Sequence, residues 1–178
     1  MNSISPSRAK KVAVIGPECT GKSDLSQFLA GHFKTDWVPE YARAYIDNLV
    51  RPYAQHDLLI IAHGQIRLED EWARGKTSLL ICDTNLYVIK VWSMFKFGNC
   101  DEEILRHIAT RKYDLYLLTF IDVPWEDDPQ REHPDQRYQL YEAYLNEMKN
   151  QPVPFVEIKG EKEQRRKTAI DAVEKILK

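Results

Sequence analysis

Cysteine is scarce in this chain, and the three present, Cys19, Cys82 and Cys100, stand far apart. That argues against a disulfide framework and fits reduced thiols in a cytoplasmic protein. No charge of one sign dominates: 25 Lys+Arg against 27 Asp+Glu leave a net charge of -2. There is therefore no basic field to argue for nucleic acid. Long hydrophobic runs are missing as well. Stretches such as Leu58-Leu59-Ile60-Ile61-Ala62 are far too short to cross a bilayer. Met1 to Lys11 lack the apolar stretch of a secretory signal. No repeat, low-complexity tract or Gly/Ser linker divides the 178 residues. One domain over 1–178 is expected, long enough to bury a sizeable core, with 1–10 as a flexible tail. A composition 43% hydrophobic and 29% charged is ordinary for a soluble globular protein.

What the chain does contain is Gly16-Pro17-Glu18-Cys19-Thr20-Gly21-Lys22-Ser23. It follows the β-branched run Val12-Ala13-Val14-Ile15 and precedes Leu25, Phe28 and Leu29 at helical spacing. A glycine-rich turn that merely joins two elements needs neither the Lys-Ser pair nor the strand–helix frame. A phosphate-binding loop needs both. Its glycines let successive N–H groups point at phosphate oxygens, and the helix that opens near Lys22 adds its positive dipole end. Lys22 is placed to reach the β- and γ-phosphates of a nucleoside triphosphate, and the Ser23 hydroxyl to hold Mg2+. Gly16, Glu18, Cys19, Thr20, Gly21 and Asp24 complete the expected nucleotide-binding set.

Strands and helices alternate along the rest of the chain, which reads as a parallel sheet covered by helices. Further strands are expected at Trp37-Val38, Leu79–Cys82, Leu115–Leu118 and Phe155–Ile158, making five. Asp57 is expected to cap a long helix with an apolar stripe of Leu58, Ile61, Leu68 and Trp72, ended by Gly75. Leu86, Ile89, Trp92 and Phe95 mark the next helix, which stops near Gly98. Another starts at Asp101 with Ile104, Leu105 and Ile108 inward. Tyr141, Tyr144, Leu145 and Met148 define a later helix, and Ile170, Val173 and Leu177 the last one.

In an open parallel sheet ligands bind beyond the carboxyl ends of the strands, so the polar residues that follow each strand are the candidates. Asp83 follows four apolar residues, as a Walker B carboxylate does, and can hold magnesium opposite Ser23. It could instead cap the helix starting near Leu86. Glu40 ends the second strand, where it could accept a proton from an acceptor hydroxyl or hold it in line. The alternative is an exposed Glu opening the helix from Tyr41 to Asn48. Arg43, one turn on, could pair with Glu40 or contact a phosphate. Asp122 and Gly160 close the set.

Residues 122–137 read as a lid in which Arg131 and Arg137 would neutralise the triphosphate. Trp125 within it could stack on a planar, cationic base. The alternative is a solvated loop whose Trp plugs a surface cleft. The five histidines, His32, His56, His63, His107 and His133, show no metal-ligand spacing, and no Cys pair does. The Arg165-Arg166-Lys167 run reads as a solvated helix face.

Five segments in this order carry a resemblance: the Gly16–Ser23 loop, Val38-Pro39-Glu40-Tyr41-Ala42-Arg43, Cys82-Asp83-Thr84, Tyr113–Leu118 and Asp122-Val123-Pro124-Trp125-Glu126-Asp127-Asp128. Together they resemble the ribosylnicotinamide kinase domain of NadR-type NAD-salvage proteins over nearly the whole chain. The resemblance implies a three-layer P-loop kinase fold with a five-stranded parallel sheet in the order 2-3-1-4-5. It also implies transfer of the ATP γ-phosphate to the 5′-hydroxyl of nicotinamide riboside. Lys22, Glu40, Asp83 and Arg131 would then be catalytic. Glu40, Tyr41, Arg43, Asp83 and Trp125 would meet the substrate, Arg137 the nucleotide, and Ser23 and Asp83 the metal. Cys19 departs from the serine common in the family, and Pro129-Gln130 from its more glycine-like lid. Such domains are often fused to others, so the chain is expected to be either a stand-alone kinase or an excised domain. A kinase for another nucleoside, or a non-catalytic ATP-binding regulatory module, are the competing readings.

Overall fold

The computed structural model describes residues 8–75 and 77–178. Five short apolar segments pair in parallel to form one sheet: β1 (Lys10–Ile15), β2 (Asp36–Val38), β3 (Leu79–Asp83), β4 (Leu115–Thr119) and β5 (Phe155–Ile158), in the order β2-β3-β1-β4-β5. This is the expected order. Registers such as Val38 opposite Cys82, Ala13 opposite Cys82 and Thr119 opposite Ile158 bring the carboxyl ends of the strands level.

Both faces of the sheet are covered, which is why the central strands read as unbroken apolar runs. Ala13, Ile15, Tyr116 and Leu118 point to one side, where they meet Val91, Leu140, Tyr144 and Met148. Val12, Val14, Leu115 and Leu117 point to the other, against Leu25, Leu29, Ala169 and Val173. The covering helices are α1 (Lys22–Phe33), α2 (Tyr41–Asp47), α3 (Gln55–Ala73), α4 (Leu86–Phe97), α5 (Glu102–Thr110), α6 (Arg137–Lys149) and α7 (Lys162–Leu177). α2, α3, α4 and α5 share a third apolar cluster around Leu58, Ile61, Leu86 and Ile104.

Several expectations are corrected. Asp57 is not the cap of α3 but lies one turn inside it, accepting from the Ala54 N–H at 2.7 Å. There it is fully buried and also receives Tyr45 and Arg51. Arg51 in the first place holds its carboxyl well below the usual range. Trp72, Leu105 and Leu177, expected inside, are exposed: Trp72 and Leu177 lie in the last turn of their helices, and Leu105 beside the buried Ile104. Of the expected tail, residues 1–7 lie outside the described residues. Arg8 and Lys10 are tied to Asp114, and Lys10 opens β1. Among the described residues no helix is long and apolar enough to cross a membrane.

Candidate functional site: a phosphate cradle facing buried carboxylates

The loop between β1 and α1 is held in shape from below. Gly16 has φ 141°, and a Cβ there would lie 2.7 Å from the Thr119 carbonyl oxygen, so only glycine fits. Gly21, at φ 75°, turns the chain into α1. The Thr20 hydroxyl lies 2.8 Å from the Pro17 carbonyl and 2.7 Å from Thr119 Oγ1, which is itself 3.0 Å from the Ile15 carbonyl, so two hydroxyl protons are shared among three close contacts. Thr20 therefore spends its side chain on bracing the loop and leaves only its backbone to the cradle. Lys22 Nζ spans the mouth and donates to the Pro17 carbonyl at 2.8 Å.

Beside the loop stand the two carboxylates expected at the strand ends. Asp83 is 1% exposed, and its Oδ1 has no protein partner. Burial raises its pKa, opposed by the neighbouring Ser23 and Lys22. The capping alternative fails: α4 is capped by Asn85, whose side chain accepts from Tyr87 N. Glu40 opens α2 as its N-cap residue, as the alternative had it, but it is half-buried rather than exposed and makes no capping bond. Burial raises the Glu40 pKa above its ordinary value, Lys22 and Arg43 pull it down, and Asp83 and Glu18 push it up. Two acids and one lysine thus share a single electrostatic neighbourhood.

Lys22, Ser23 and Glu40 line a cavity of about 920 Å³, a volume suited to small-molecule ligands, and Asp83 is buried outside its lining. Its phosphate wall is Gly16–Asp24. One flank carries Asp122, Gly160, Lys162, Arg165 and Arg166. The other carries Glu40, Arg43, Ile46, Val88, Trp92, Phe95, His133, Leu140 and Tyr144. The second flank is largely apolar and aromatic, with Tyr144 4% exposed. Burial, then Glu40 and Glu18, hold the Tyr144 phenol above its usual pKa.

The 122–137 segment lies against the loop. Glu126 N donates to Cys19 Sγ at 3.2 Å, Glu132 N and His133 N donate to Glu18 Oε2, and Arg137 donates to the Cys19 and Val123 carbonyls. Arg43 pairs with Asp128 of this segment, a partner the sequence did not suggest. Arg131 reaches the cavity, donating to the Glu126 carbonyl.

Four expected contacts are not brought to the cavity wall: Asp83, buried at the end of β3, and Trp125, Tyr41 and Arg137. Trp125 donates to Asp127 Oδ1, and its ring faces the guanidinium groups of Arg131 and Arg137 at 6.0 and 5.7 Å. Tyr41 packs its ring over Gly64, where no Cβ could sit. Arg137 is spent on the Cys19 and Val123 carbonyls.

Conversely, sequence reasoning missed Arg165. It is 6% exposed rather than solvated, and it donates to the Thr20 carbonyl and to Asp122, fastening the loop to the segment after β4. Trp92, Phe95 and Tyr144 were read as helix core. Their signal, an aromatic at helical spacing, is indistinguishable from packing in a linear sequence.

A glycine-shaped cradle at the end of β1, a lysine across it and a buried acid behind its serine define a P-loop nucleotide-binding domain. The chain belongs to the AAA domain family, whose model matches residues 11–165. It is 25% identical over 131 residues to the trifunctional NAD biosynthesis/regulator proteins NadR of Salmonella typhimurium and Escherichia coli, covering 70% of this chain. It spans only about a third, 32%, of the length of those relatives. Among solved structures it is similar to NadR in complex with NR, at TM-score 0.80 and 21% identity over 94% of this chain and 51% of that one. Thymidylate kinase from Candida albicans matches at TM-score 0.68 and 14% identity, over 94% and 92% of the two chains. These likenesses establish a P-loop kinase fold.

Proposed function

We propose that this chain is an ATP-dependent kinase that phosphorylates the 5′-hydroxyl of nicotinamide riboside, giving nicotinamide mononucleotide. The observation that carries the reading is the convergence of Glu40, Asp83 and Lys22 beside a phosphate cradle whose far flank is aromatic. A sensor has no use for two carboxylates held partly unneutralised at a cation's cost.

In this reading the loop amides and Lys22 bind the triphosphate, with Arg131 and Arg165 adding positive charge along its path. The Ser23 hydroxyl and the unpartnered Asp83 Oδ1 are hard oxygen donors of the kind magnesium takes, so these two would hold it. When bound, that ion supplies neutralisation of the β- and γ-oxygens. Glu40 accepts the hydrogen bond, and then the proton, of the acceptor hydroxyl. Because the transition state is loose, its aim matters more than its basicity. Trp92, Phe95 and Tyr144 hold the base end of the nucleoside and exclude water. Residues 122–137 act as the lid, latched to Glu18, Cys19 and Arg43. A single domain working in the cytoplasm accords with the three free thiols.

The test is ADP release with Mg·ATP and a panel of nucleosides and nucleoside monophosphates. Turnover with nicotinamide riboside, well above the others, is expected. Turnover with adenosine, deoxynucleosides or thymidine monophosphate alone overturns the substrate assignment and leaves the kinase. No stimulation by any acceptor overturns both.

A further inference from the structure

A second group of ligating side chains lies away from the cavity. Glu103 and His107 stand one turn apart on α5, and His63 faces them from α3. His63 Nε2 is 2.9 Å from Glu103 Oε1, and His107 Nε2 is 3.8 Å from the same oxygen. The three donor atoms all lie within 4.8 Å of one another. The two imidazole rings stand nearly perpendicular, centroids 6.1 Å apart. The histidine spacing in the sequence suggests no metal ligands, because His63 and Glu103 are 40 residues apart. Packing of Ile61 and Ile104 in one apolar cluster brings the two helices, and hence the three side chains, together.

We infer that His63, Glu103 and His107 form a binding site for a divalent transition-metal ion of the zinc class. Two imidazoles and one carboxylate suit zinc, copper or nickel rather than the oxygen-seeking magnesium or calcium. Bonds of about 2.0–2.1 Å in tetrahedral geometry put ligand atoms roughly 3.3 Å apart. The separations of 2.9 and 3.8 Å bracket that value, so small side-chain rotations suffice. With 37–48% of these side chains exposed, solvent completes the shell and the ion has an open path in. Bound there, it clips α3 to α5. None of the three residues lines the cavity, so the clip is independent of the kinase reading.

The experiment uses the full chain stripped with EDTA and titrated with ZnCl2. A melting temperature raised by roughly 5–10 °C at about a hundredfold excess over Kd is expected. His63→Ala and His107→Ala should each weaken binding roughly 10–100-fold in calorimetry, the scale on which even outer-shell partners act. Glu103→Gln should weaken it less than either. Zinc affinity unchanged in the double His63→Ala/His107→Ala variant places the ion elsewhere, the three thiols included, and overturns the proposal. No zinc binding by the parent chain does the same. A crystal soaked in ZnCl2 gives a readout independent of melting: an anomalous peak between the two rings supports the site, and its absence there overturns it.

Discussion

The two ends of the sheet each bury a carboxylate, and they treat it in opposite ways. At the amino end Glu69, fully buried, accepts the Tyr113 hydroxyl at 2.8 Å and Arg111 at 3.0 Å, with Lys11 at 3.5 Å. Every demand of that charge is met inside the protein, as it must be where water is excluded. At the carboxyl end Asp83, equally buried, keeps one oxygen without a partner, and burial raises both its pKa and that of Glu40. The first arrangement is a structural anchor. The second, in the proposed kinase, is a charge held ready for groups that arrive with the ligand, at a cost in stability that the satisfied end does not carry.

The contrast can be broken at several points. Lys22→Ala should abolish turnover, by roughly 10³-fold or more in kcat, since it removes the cation that faces both the phosphates and the two acids. A smaller loss would show that Arg131 and Arg165 suffice. At the satisfied end Glu69→Ala should cost about 3 kcal/mol, leaving the buried Tyr113 hydroxyl without its acceptor and Arg111 with Asp70 alone. That is a fall of roughly 6–12 °C in melting temperature, with kcat of the folded protein unchanged. A thermal melt and a rate assay on the same preparation check it.

Glu40→Gln should move the two readouts in opposite directions: kcat lower by about 10²-fold, melting temperature at pH 7 higher by a few degrees. The sign follows from the raised pKa. A carboxyl whose folded pKa lies above its ordinary 4.5 favours the folded state when protonated and loses that contribution as pH rises through the folded value. The stabilisation by Gln should therefore vanish in acid, below pH 4.5. The acidic limb of kcat/KM in the parent should likewise sit above 4.5. A variant destabilised at pH 7 would remove the distinction between the two ends. The smallest effect belongs to Lys11→Ala. Its ammonium is 3.5 Å from Glu69, which two closer donors already satisfy, so under about 1 kcal/mol is expected from denaturant melts.

Much of this was legible in the chain itself. The β-branched run into Gly16, Lys22 and Ser23 placed the cradle, because that turn admits few other residues. Five apolar runs alternating with helical spacing gave the sheet, and the rule that ligands sit beyond strand ends picked out Glu40 and Asp83. What stayed hidden depended on which long-range partner wins. Arg43 had two candidate partners in the sequence and took a third, Asp128. Arg165, within a basic run that looked solvated, is buried because α7 passes under the loop. Trp125, for which the sequence offers a ligand base or a surface cleft, faces two arginines of its own segment.

The sequence by itself determined the periodicities, the glycines and the strand-end acids, since these are local demands of backbone geometry and burial. Only the tertiary structure decided which aromatics wall the cavity, which arginines serve the loop, and that His63 meets Glu103 and His107. Those outcomes are set by the packing of helices distant in the chain, and side chains of one type are interchangeable until that packing chooses among them.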